Sequence, residues 1–203
     1  MLETRSEVAG SSHSRSFVAL LLALPLLVAA GCSVPGVGEG EVTGTLTAPG
    51  CGKDDAPFDL RPDFFVADPT EGKLEIRVQR GGDYEFMSNG ISIFVADAEM
   101  EAMRTGTPIE VTGEPASPVQ ITAYFHETCE FDRDLVPVVY TATSGTITFE
   151  SIYAPDFDED QLDTTASFDL QFTDPSAPEE RHAELSGRFS FLFNRGRPAQ
   201  RFP

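Results

Sequence analysis

The chain has 203 residues, with 33 Asp and Glu against 14 Lys and Arg, for a formal charge of −19. Such a balance repels polyanions, which excludes nucleic acid and anionic lipid headgroups as partners of the main body. Sixteen phenylalanines against four tyrosines and no tryptophan make phenylalanine the main supplier of the expected core.

In chain order, residues 1–16 are polar, with Arg5 and Arg15 set against Glu3 and Glu7. Residues 17–30, FVALLLALPLLVAA, are then an unbroken apolar run. As a helix rising about 1.5 Å per residue the run spans roughly 21 Å, short of a hydrocarbon core of about 30 Å. It reads as a processing segment rather than a retained transmembrane anchor. Val28-Ala29-Ala30-Gly31-Cys32 follows and resembles the lipobox of bacterial lipoproteins, in which small residues precede a cysteine that is acylated and becomes the new N-terminus. The resemblance implies cleavage before Cys32 and lipidation of its thiol, with more than one acyl chain for stable attachment. Ser33, where an aspartate retains a lipoprotein at the inner membrane in the enteric sorting pattern, implies delivery to the outer membrane. Residues 32–40 have no periodicity and read as a flexible tether. Loss of residues 1–31 leaves 172, enough for one domain (41–203) and keeping the whole charge of −19.

The body is a succession of short alternating runs, and helical periodicity is nearly absent. Residues 73–79 alternate strictly, with Leu74, Ile76 and Val78 on one face. Residues 146–152 put Ile147, Phe149 and Ile152 together with a slip at the last step; residues 167–172 align Phe168, Leu170 and Phe172; residues 188–193 align Phe189, Phe191 and Phe193. Period-two stripes of this kind are half-buried antiparallel strands. Further strands are expected at 41–47, 64–67, 91–95, 109–112, 119–125 and 138–143, punctuated by Gly, Pro, Asn and Asp. About ten short strands in one domain predict an all-β fold, an antiparallel sandwich or barrel. One short helix is expected at 98–104, with Asp97 as its N-cap and Gly106 past its end. The phrase Gly-Thr-apolar-Thr occurs at 44–47 and again at 145–148, too short to define an internal repeat.

Two cysteines remain beside Cys32. In an oxidising envelope compartment the pair Cys51 and Cys129 is expected to form a disulfide, whereas metal binding through His126 and Cys129 lacks a second ligand pair. Asp156, Asp158 and Asp160 are spaced like the first ligands of an EF-hand, but Gln161 and Ser167 stand where that loop needs glycine and glutamate. What remains is an irregular calcium site over these three, extended by Asp163, weighed against a solvated acidic loop. No nucleophile elbow, zinc-protease helix or phosphate loop is present, and Gly36, Gly38 and Gly40 lie in the tether. His126 and His182 both read as surface residues. Arg188, Arg195, Arg197 and Arg201 give the last sixteen residues a basic character, read either as a clamp against the acidic body or as a contact for lipid phosphate or an acidic partner.

The phrase TSGTITFESI, the acidic loop, SFDLQF and ELSGRFSFLFNRGRPAQRFP together resemble a group of uncharacterised lipoproteins of myxobacteria. The likeness covers roughly two thirds of the mature chain and implies a β fold and an envelope address, with no activity to carry over. The expected role is binding or structural, with no cofactor, a membrane partner through the lipid and a protein or glycan partner at the envelope. Its rivals are a calcium-dependent adhesion or sensing module and a carboxylate-based hydrolase of glycan or lipid.

Overall fold

The computed structural model describes residues 38–81, 88–129 and 138–193. The strands are β1 (Gly38–Ala48), β2 (Lys53–Leu60), β3 (Phe64–Thr70), β4 (Lys73–Gln79), β5 (Asn89–Val95), β6 (Ile109–Glu110), β7 (Val119–Phe125), β8 (Val139–Ser151), β9 (Asp163–Thr173) and β10 (His182–Leu192). A single helical turn of 3-10 type at Pro49–Cys51 and a short helix α1 (Ala98–Ala102) complete the set. The expectation of an all-β antiparallel fold is met, and the chain resolves it into one curled sheet rather than two facing ones.

The strand order is β2-β1-β10-β9-β8-β7-β5-β4-β3, each neighbouring pair being antiparallel, with β6 added beside β8. Direction therefore alternates along the order, and β2 and β3, at its two ends, run the same way. Only residues 61–63 separate them, so residues 53–70 form one extended segment that pairs with β1 through its first half and with β4 through its second. The chain itself carries the sheet from one edge to the other. Alternate residues point inward, and Val42, Leu74, Ile76, Ile93, Val119, Ile147 and Phe172 lose essentially all contact with solvent. Burying a side chain of this size contributes about 1.5 to 3 kcal/mol, so the inward stripes of the nine long strands supply the main stabilising term.

The register defines two ends. Gly38 pairs with Phe191, Leu192 with Asp163, Val95 with Val119, and Thr70 with Lys73, so the start of β1, the 152–162 loop and α1 share one end. Cys51, after β1, and Cys129, after β7, lie at the other and form the expected disulfide, with Cα atoms 5.1 Å apart. Phe58, Phe125 and Tyr140 pack edge to face nearby, at 5.3 and 5.1 Å. Burial pushes the Tyr140 hydroxyl up to about 12, and it donates to the Thr47 carbonyl at 3.0 Å.

The helix forms where it was expected, and the Asp97 carboxylate accepts the Met100 N–H at 2.9 Å as its cap. It is shorter than the predicted 98–104. Past it the chain turns at Gly106, whose N–H donates to the Phe149 carbonyl at 2.7 Å. Two expected strands, 138–143 and 146–152, are one thirteen-residue strand, because the chain passes between them through a bulge at Thr143, after which Ser144 and Gly145 resume pairing with β9. The slip seen at the end of 146–152 is a second bulge, between Phe149 and Ser151.

Candidate functional site

On the outer face of β1, β10, β9 and β8 a cleft of about 420 Å³ lies between outward-pointing rows. Register builds it: Glu41 stands opposite Arg188 and Arg188 opposite Ser167, while Glu39, Ser190 and Thr165 form the next row. Arg61 reaches the cleft from the 61–63 link, and Glu150 from the second bulge of β8.

Glu41 is the hub. Its carboxylate accepts from Arg61 Nη1 and from Arg188 Nε, the latter at 3.0 Å, and Arg61 Nε also meets Asp59 at 3.1 Å. The hydrogen bond from Arg61, with the charge of Arg188 next, holds the Glu41 carboxyl below the usual carboxylate range. The side chains of Arg61 and Arg188 are 61% and 75% exposed, so these pairs add little stability and leave guanidinium donors facing water. Two guanidinium forks beside the hydroxyls of Thr165, Ser167 and Ser190 can hold a carboxylate or a hydroxyl-rich ligand by directed hydrogen bonds.

Acid and base work needs two groups whose environments push their pKa values apart. Glu41 supplies only an ionised carboxylate. Among the described residues the carboxyl that the fold pushes upward is Glu101, 2% exposed on α1, which does not line the cleft. Its burial is the largest cause of the shift, opposed by Arg104, whose Nη1 lies 3.5 Å from Oε1. Oε2 is buried without a hydrogen-bond partner.

The sign of the resulting pH dependence follows from linkage. The native state holds the Glu101 proton more tightly than the unfolded chain does, so stability falls as pH rises above the ordinary value of 4.5. Glu101→Gln is expected to stabilise the protein by about 1 kcal/mol at neutral pH and to be nearly neutral well below that value, where both states are protonated. Urea unfolding at two pH values checks both halves.

Of the residues expected to carry chemistry, Asp156, Asp158 and Asp160 fall in the loop between β8 and β9. Asp158 Oδ1 accepts the Asp160 N–H at 3.0 Å, and among the described residues no three His, Cys, Asp or Glu side chains gather to hold a metal. His126 is a correction. It is buried rather than exposed, its N–H donating to the Ser88 carbonyl at 3.2 Å, because the chain after β7 turns into the disulfide end. His182 is partly exposed at the start of β10, 4.0 Å from Asp55.

Arg188 meets Glu41, whereas Cys32, Arg195, Arg197 and Arg201 lie outside the described residues. No described helix is long and apolar enough to cross a membrane. Set against protein-family models, curated proteins and solved structures, the chain matches none of them.

Proposed function

We propose that the protein is a lipid-anchored envelope lipoprotein whose barrel-like domain serves a binding or structural role outside the cytoplasm. The observation that carries this reading is the cysteine arithmetic. Cys51 and Cys129 are joined, as suits an oxidising compartment, and the cysteine left over is Cys32, directly after an apolar run and the small residues Ala29, Ala30 and Gly31. A thiol placed there has a chemical role as an acylation site and no partner in the fold's own disulfide.

A binding role is supported by the cleft around Glu41, whose donors and hydroxyls suit a polar glycan or an acidic group on a partner protein. The guanidinium donors held around Glu41 and the neighbouring hydroxyls are groups that bind and orient a ligand, which favours binding over catalysis.

The test is the chemistry of the mature N-terminus. Mass spectrometry of protein extracted from membranes is expected to find a chain beginning at Cys32 and carrying acyl groups. Cys32→Ser is expected to move the protein from the membrane fraction to the soluble one. A mature chain with an unmodified Cys32 overturns the proposal.

A further inference from the structure

The barrel end that carries Gly38 is studded with apolar side chains that the fold leaves in water. Six large apolar residues are exposed among the described residues, and five of them, Met100, Met103, Phe157, Leu162 and Leu192, stand at this end. Their exposures run from 37% to 62%, and the sixth, Val139, lies at the disulfide end. These residues come from three separate segments: α1 and the turn after it, the 152–162 loop, and the tip of β10.

The loop is held in place rather than left to swing. The Ala154 carbonyl accepts from the N–H groups of both Phe157 and Asp158 at 3.0 Å, and the Leu162 carbonyl accepts from the Phe193 N–H at 2.8 Å. Tyr153 stacks on Phe193 with ring centroids 4.1 Å apart. A fixed backbone thus presents Phe157 outward. Five exposed large apolar side chains at one end of the sheet, against one at the other, mark a surface that meets something apolar.

We infer that this end rests on the bilayer, with Phe157, Met103 and their neighbours seated at the level of the lipid headgroups. The inference rests on the lipoprotein reading, because the occupant is named by the tether: six residue steps separate Cys32 from Gly38, a reach of about 20 Å at full extension. A domain held that closely by the strand that enters at this end has the cluster within reach of the membrane whenever the end turns down. Charge narrows the lipid class. Asp156, Asp158, Glu159 and Asp160 flank Phe157 in the same loop, so the surface that fits is zwitterionic, and anionic headgroups oppose the contact.

The experiment uses the mature lipidated protein in phosphatidylcholine vesicles. With Cys32 acylated and Cys51 bonded to Cys129, a single introduced cysteine is the one free thiol for an environment-sensitive fluorophore. Probes at Phe157→Cys and Met103→Cys are expected to shift to the blue and to lose at least half their emission to headgroup-proximal spin-labelled lipid. A probe at Ser176→Cys, exposed in the β9–β10 connection at the disulfide end, is expected to do neither.

Replacing half the lipid with phosphatidylglycerol is expected to weaken the quenching severalfold. Equal responses from all three probes on protein that floats with the vesicles overturn the membrane-facing end while leaving the anchor intact. Protein that fails to float overturns the anchor itself and this inference with it.

Discussion

Removal of the disulfide, as Cys51→Ala with Cys129→Ala, is expected to lower stability by about 4 to 5 kcal/mol and the midpoint of thermal unfolding by about 10 °C. The sequence separation of 78 sets the scale: closing so long a loop removes much of the freedom of the unfolded chain. Position within the fold adds a second reason. Cys51 follows β1 and Cys129 follows β7, and three strands, β10, β9 and β8, lie between β1 and β7 in the sheet. The bridge therefore spans the curled sheet instead of joining neighbours that a ladder of hydrogen bonds already holds.

Cys129 is fully buried in the hydrophobic core, so its replacement also leaves a small cavity there. Denaturant unfolding of the oxidised protein and the double variant measures the difference. A loss below about 1 kcal/mol would mean that the sheet is already closed by pairing alone, and that the staple contributes little to holding its two halves.

The strands that were legible are those whose inward faces are continuous. Residues 73–79 and 119–125 coincide with β4 and β7, because a strip buried on one face and solvated on the other writes its period directly into the sequence. β2 was missed for the opposite reason. Its sequence KDDAPFDL turns only Phe58 and Leu60 fully inward and contains Pro57, which breaks the strand pattern. Proline is tolerated there because β2 pairs on one side only, with β1.

The cleft was not legible at all. Glu41, Arg61 and Arg188 are separated by up to 147 positions, and each is an ordinary polar residue at an outward or linking position. Only the register between β1 and β10, which no local pattern specifies, sets Glu41 opposite Arg188. The disulfide was half legible: parity and compartment paired the cysteines, while the geometry that makes them adjacent belongs to the closure of the sheet. His126 misled because a residue following a strand is commonly in an exposed loop, whereas this turn packs back into the core.

Gly145→Ala is expected to cost about 3 kcal/mol or more, and Gly44→Ala a similar amount, although each adds one methyl group. Gly145 has φ +114°, where side chains are strained, and an added Cβ would lie 2.1 Å from the Asp169 carbonyl oxygen. At Gly44 the corresponding distance, to the Glu184 carbonyl oxygen, is 1.8 Å. Backbone from the neighbouring strand is the obstacle, so no side-chain rotation relieves it.

The two glycines are related. Gly44 pairs with Leu185, Leu185 with Leu170, and Leu170 with Gly145, so they end one row across β1, β10, β9 and β8. Each opens the twice-occurring Gly-Thr-apolar-Thr phrase, and the phrase thus marks equivalent places on either side of the β9–β10 pair, where the strands approach too closely for a side chain. Gly50, with nothing within 4 Å of an added Cβ, is the control, and Gly50→Ala is expected to change stability by no more than about 0.5 kcal/mol. Three strand spacings of about 4.8 Å keep the two row-end glycines from sharing a partner, so their costs add. A combined loss of about 6 kcal/mol reaches the stability of an ordinary domain. The double variant is therefore expected to be largely unfolded by circular dichroism at 25 °C, while each single variant folds with a lowered denaturation midpoint; a double variant as stable as either single one would show that the row yields as a unit instead.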